Sequence, residues 1–167
     1  ATLGQNYASL KMTDSALFYY QRAAKESVAR NDIYAEAAIY GYMVNTFADR
    51  GDYKAMLKAA EKSLGLSKTL QSNQLLASSL YNIAYAAYFN GDNKSAKKYI
   101  SEALGIATRD SLKDELKNIY TVLTFIAARE GDFKTSLWAK QQTDSIQEAL
   151  LNEQVVRSTT ELEKKYE

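Results

Sequence analysis

The sequence predicts an all-α solenoid, a stack of antiparallel helix pairs that ends in one long helix. Three observations carry that prediction. Gly-Asp recurs at a 40-residue step, at 51–52, 91–92 and 131–132. The flanking residues keep register across the same step, with Met43, Ile83 and Leu123 before the turn and Met56, Ala96 and Ser136 after it. The 167 residues contain no proline, so nothing in the chain forces a helix to break. A fixed period in this range marks stacked units that bury their apolar faces only against neighbours.

Each element has its own justification. Ala1 to Leu10 reads as the end of a first helix, with Lys11-Met12 in the Gly-Asp slot and Leu3, Tyr7, Ala16, Tyr20 and Ala23 in register. Ala1 falls at the fifth position of its repeat, so the chain is expected to be a fragment of a longer protein. Thr13 is the expected N-cap of a second helix running to about Arg30. Asn31-Asp32 opens a helix to Arg50, and Asp52 opens one to roughly Leu70, before Ser72-Asn73. The central hairpin spans 77–107. Its first helix has Leu80, Ile83, Ala84 and Ala87 on one stripe and Tyr81, Tyr85 and Tyr88 on a second, a pattern expected of a helix packed on two sides. Its second helix places Ala96, Ile100, Ala103 and Leu104 on one face.

Asp110-Ser111, with Asp114 and Glu115 one turn on, is expected to open the helix to Glu130; the two acidic residues read as helix-start charges. Gly65 and Gly105 share a slot and predict either a close backbone approach or an early helix end. The last helix starts at Asp132. Beyond residue 150, Leu151, Val155, Leu162 and Tyr166 form a narrow stripe. The organisation expected is a solenoid over 1–150, of about four repeats with the first truncated, and a capping or connector helix over 151–167. The stripe is also a candidate homodimer seam.

Composition narrows the function. Charges nearly balance, with 21 basic and 20 acidic residues, so no nucleic-acid footprint is expected. There is no Cys and no His, which removes disulfides, Ser-His and Cys-His pairs and the commonest metal ligands. The seven glycines are scattered and form no phosphate loop. No cofactor, metal or catalytic activity is therefore expected. No apolar run approaches the roughly 18 residues of a membrane span, so this segment is not expected to contact a membrane.

The pattern resembles the tetratricopeptide repeat: a large residue, Leu-like and small residues, then aromatic-x-x-x-Gly-Asp-aromatic. Repeat two supplies Tyr40, Met43, Phe47, Gly51, Asp52 and Tyr53. The closing Pro of that family is absent, and the 40-residue step exceeds its usual length of about 34. The resemblance implies a right-handed solenoid whose concave face, lined by the first helix of each pair, binds a protein or peptide. Carried to this sequence, that face presents Asn45 and Asp49, then Tyr81, Asn82, Tyr85, Tyr88 and Phe89, then Asn118, Phe125 and Arg129. The expectation is one partly exposed patch of Tyr81, Tyr85 and Tyr88, edged by Asn45, Asn82 and Arg129. The alternative is that these aromatics fill the spaces between helices. A carboxylate clamp of the co-chaperone type is not expected. Asn45 and Asn82 match it, but Gly41, Asn118 and Val122 stand where its cations belong.

Asp144-Ser145-Ile146 followed by Leu162-Glu163-Lys164-Lys165-Tyr166-Glu167 resembles the junction after the last repeat in membrane-anchored bacterial sensors. That resemblance implies an extracytoplasmic sensor region of a signal-transduction or transcription regulator, on the periplasmic side of a membrane-anchored parent. The other reading is a stand-alone interaction scaffold, with a cytoplasmic location as the alternative.

Overall fold

A computed structural model describes residues 2–166, and of Tyr166 the backbone alone. Ala1 and Glu167, assigned above to the first and last helices, lie outside the described residues. Eight helices and no strands occur among the described residues. They are α1 (Thr2–Ser9), α2 (Thr13–Ala29), α3 (Ile33–Arg50), α4 (Tyr53–Ser67), α5 (Asn73–Phe89), α6 (Asn93–Arg109), α7 (Lys113–Arg129) and α8 (Phe133–Tyr166).

The turn inside each pair is built by two residues. Gly51 ends α3 with φ 77°, and the N–H of Asp52 donates to the Phe47 carbonyl at 3.0 Å. Asp52 then caps α4, its Oδ1 accepting from the Ala55 N–H at 3.0 Å. Gly91-Asp92 and Gly131-Asp132 repeat both steps, capping with the N–H groups of Ser95 and Thr135. Glycine takes the left-handed conformation without a Cβ penalty, and aspartate satisfies an orphan donor of the next helix. Lys11 holds the same slot at φ 57° without that relief.

The helix starts and ends differ from expectation at several residues. Thr13 is already helical, and the cap position of α2 falls on Met12, which offers no side-chain acceptor. Likewise α7 is capped at Leu112 without a side-chain bond, because Asp110 instead ends α6 and Ser111 turns the chain at φ 54°. Asn31 makes the matching left-handed turn before Asp32, whose side chain caps α3 as expected. Between these two turns α4 stops at Ser67, short of Leu70, and Ser72 caps α5 by accepting from the Leu75 N–H. The last helix begins at Phe133 and runs without a break through residue 150.

Small residues set the helix spacing. Ala84, Ala96 and Ala103 are fully buried and Ala87 nearly so, among large side chains such as Met56, Leu80, Ile100 and Ile119. A Cβ at Gly65 or Gly105 would meet nothing within 4 Å, so neither marks a close backbone approach; α6 runs on to Arg109, whereas α4 ends two residues beyond Gly65. The close approaches are at Gly4, against the Tyr20 ring, and at Gly41, against Asn82. Helices α3, α5 and α7 also pack directly on one another across the pairs, closer than the row of α4, α6 and α8. The closer row is the inner face of the stack.

Candidate functional site

The inner row carries every residue singled out above as a binding candidate. Helical spacing brings Tyr85, Phe89 and Tyr88 of α5 to the same end of the row as Phe125 of α7, with Tyr53 at the start of α4. Their rings form one network. Tyr53 stacks on Phe89 at 4.7 Å between centroids, Tyr85 meets Phe89 edge-on at 4.9 Å, and Tyr88 meets Phe89 at 5.4 Å. Phe125 reaches Tyr85 at 6.5 Å and Tyr88 at 6.2 Å. Arg129 covers the Tyr88 ring at 3.4 Å and donates from Nη1 to the Tyr88 carbonyl. Tyr85 and Tyr88 are half-buried, while Phe125 is 42% exposed and Arg129 is exposed. The rings therefore both pack between helices and present an edge to solvent.

Beside this ridge lie two cavities that share Asn45 and Tyr81 as walls. The smaller, about 160 Å³, is bounded by Tyr85, Asn118, Val122 and Phe125. The larger, about 250 Å³, lies between α3 and α5 and reaches Glu115 of α7. Asn45 is exposed, and Tyr81 is half-buried with its hydroxyl accepting from Asn118 Nδ2 at 3.4 Å. Burial pushes the Tyr81 phenol up to about 12, the Glu115 charge adds to the rise, and the Asn118 bond opposes it. Burial also raises the Tyr85 phenol, followed by the field of Asp49.

Asn82 does not sit at the edge of an exposed patch. It is 4% exposed, lines the larger cavity, and leaves its Oδ1 without a partner. The reason lies in α3: Gly41 has no side chain, and a Cβ there would stand 3.1 Å from Asn82 Nδ2. The amide fills the space that a larger residue at 41 would take.

Sequence reasoning missed Glu115 and a chain of buried hydroxyls. Ser63 donates to the Ala37 carbonyl at 2.9 Å, and Ser79 bonds both Ser63 and Ser67, at 2.9 and 2.5 Å. Glu115, read above as a helix-start charge, is 7% exposed and accepts on Oε1 from Gln74 Nε2 at 3.0 Å and Ser78 Oγ at 3.3 Å. One signal was available. Residue 115 stands one repeat after Leu75, itself buried, so a carboxylate occupies a core slot. Among the described residues, no group of three acidic side chains is arranged to hold a metal ion. Among those residues no helix is long and apolar enough to cross a membrane.

Known proteins resemble this arrangement in fold. The tetratricopeptide repeat family matches residues 77–110, the central hairpin. A Rap protein, crystallised in complex with competence and sporulation factor, superposes with a TM-score of 0.74 at 17% identity, covering 86% of this chain and 40% of its own. BtubC (BKLC) from P. vanneervenii superposes with a TM-score of 0.65 at 19% identity, covering 89% of this chain and 61% of its own. The chain has the fold of a tetratricopeptide-repeat solenoid. It spans less than two thirds of either structure. No curated protein matches it.

Proposed function

We propose that this chain is the recognition module of a bacterial signal-transduction or transcription regulator, and that its inner face holds an extended peptide or a partner's helix. The observation that carries this reading is the ridge of half-exposed rings, Tyr85, Tyr88 and Phe125, set against two polar cavities. Aromatic side chains offer large, rigid contact area at low entropic cost, and the amides of Asn45 and Asn118 supply hydrogen bonds beside them. A Rap protein of the same fold in complex with competence and sporulation factor is consistent with such a role. The parent would be membrane-anchored with this region on its periplasmic side, and α8 would pass the binding event onward.

A stand-alone scaffold is the second reading. The apolar stripe late in α8 favours it, because Leu151, Val155 and Leu162 are all more than half exposed and could hold a second copy of the chain. Either way the groove is tested directly. A random peptide library displayed on phage and panned on the purified chain should converge on one sequence class. Phe125→Ala, the most exposed ring of the ridge, should weaken the selected peptides by about 1–2 kcal/mol and leave the melting temperature nearly unchanged. Tyr85→Ala should cost about 1–3 kcal/mol of binding. Equal affinity in both variants would overturn the groove assignment.

A further inference from the structure

We propose that the larger cavity is a cation pocket that receives a lysine or arginine side chain from a peptide lying on the ridge; this rests on the groove reading above. Two independent observations converge there. The first is Glu115, a carboxylate that is 93% buried yet has no cationic partner among the described residues. The chain's other buried carboxylate in the core, Glu36, is paired with Lys62 at 3.3 Å. Glu115 has only neutral donors, Gln74 and Ser78, both on Oε1. Charged groups this buried are ordinarily paired, because desolvation without a counter-charge is costly.

The second observation is Asn82, whose buried Oδ1 has no hydrogen-bond partner while its side chain lines the same cavity. A half-turn of the terminal torsion exchanges amide oxygen and nitrogen, and such torsions have two broad wells. The carboxamide can therefore turn an acceptor toward an incoming N–H. Tyr34, Tyr42 and Tyr81 wall the cavity, and aromatic faces attract ammonium and guanidinium groups. A carboxylate, an amide acceptor and aromatic walls make a site for an organic cation. The cavity of about 250 Å³ shares Asn45 and Tyr81 with the smaller one beside Phe125, which sets it next to the ridge.

The test is a nuclear magnetic resonance titration of the ¹⁵N-labelled chain with N-acetyl-arginine amide, N-acetyl-lysine amide, neutral N-acetyl-citrulline amide and glycinamide. The arginine and lysine amides should shift the side-chain resonances of Asn82 and Gln74 saturably. Citrulline amide and glycinamide should not. Glu115→Gln, which keeps an acceptor for Gln74 and Ser78, should weaken both cations at least tenfold. Citrulline amide binding as tightly as arginine amide would overturn the cation assignment, and so would an unchanged affinity in Glu115→Gln. The wild-type comparison decides the matter even if that variant folds poorly. Glycinamide binding as tightly as lysine amide overturns the side-chain assignment in favour of a chain terminus. Peptides that bind through Phe125 but ignore Glu115→Gln would sink the pocket and leave the groove standing. Cations that bind saturably where no peptide does would leave a pocket without the groove, and overturn its assignment to a peptide's side chain.

Discussion

Tyr81 is where burial, charge and hydrogen bonding meet on one side chain. Its phenol is held at about 12 in the folded chain against the usual 10.0. The folded state therefore keeps a proton that the unfolded state gives up. The resulting stability is fully present below pH 10 and is lost as pH rises through about 12. A two-unit shift corresponds to about 2–3 kcal/mol. Urea unfolding between pH 8 and 12 should show stability falling steadily above about pH 10. Tyr81→Phe should flatten that fall, though the raised phenols of Tyr20 and Tyr85 will leave some of it. An identical alkaline slope in Tyr81→Phe would mean that the ring is not buried as described.

The helices show which glycines are structural and which are replaceable. Gly65 and Gly105 sit in helices with open space where a Cβ would go. Alanine at either should stabilise the chain by about 0.5–1 kcal/mol, because glycine loses more backbone freedom on folding. Gly41→Ala should gain less than either, since the new methyl stands 3.1 Å from Asn82 Nδ2 and the amide must shift to admit it. Denaturant midpoints for the three variants check the ranking. A destabilising Gly65→Ala would show that α4 is crowded at a point where the structure leaves it open.

The whole molecule is a one-dimensional stack, so each helix pair depends on its neighbours rather than on a central core. The end of α8 stands outside that dependence. Residues 151–165 are exposed throughout. Glu153 makes one ion pair with Lys113, and an exposed pair of that kind is worth roughly 0–1 kcal/mol. A chain truncated after residue 150 should therefore unfold at nearly the same denaturant concentration as the full segment. Under the homodimer proposal, sedimentation should show the full segment at twice its monomer mass and the truncated one at monomer mass. A full segment that sediments as a monomer at every concentration would remove α8 as a dimer seam.

The sequence by itself determined the fold. Gly51, Gly91 and Gly131 mark turns because only a residue without a Cβ takes a left-handed φ cheaply, and Asp52, Asp92 and Asp132 cap because a short carboxylate reaches the next free N–H. Those are local effects, complete within a few residues, and a repeat writes them out several times. Where the local signal was weak the reading slipped. Met12 and Leu112 cap helices without side-chain bonds, and α4 ends early at Ser67. The candidate site was legible in part: the residues of the inner row follow from helical spacing, but their burial does not. Asn82 is buried because Gly41 leaves room opposite it, and Glu115 is buried because α5 lays Gln74 and Ser78 against it. Each of these contacts joins residues about 40 apart across neighbouring repeats, so only the stacking of one pair on the next could decide them.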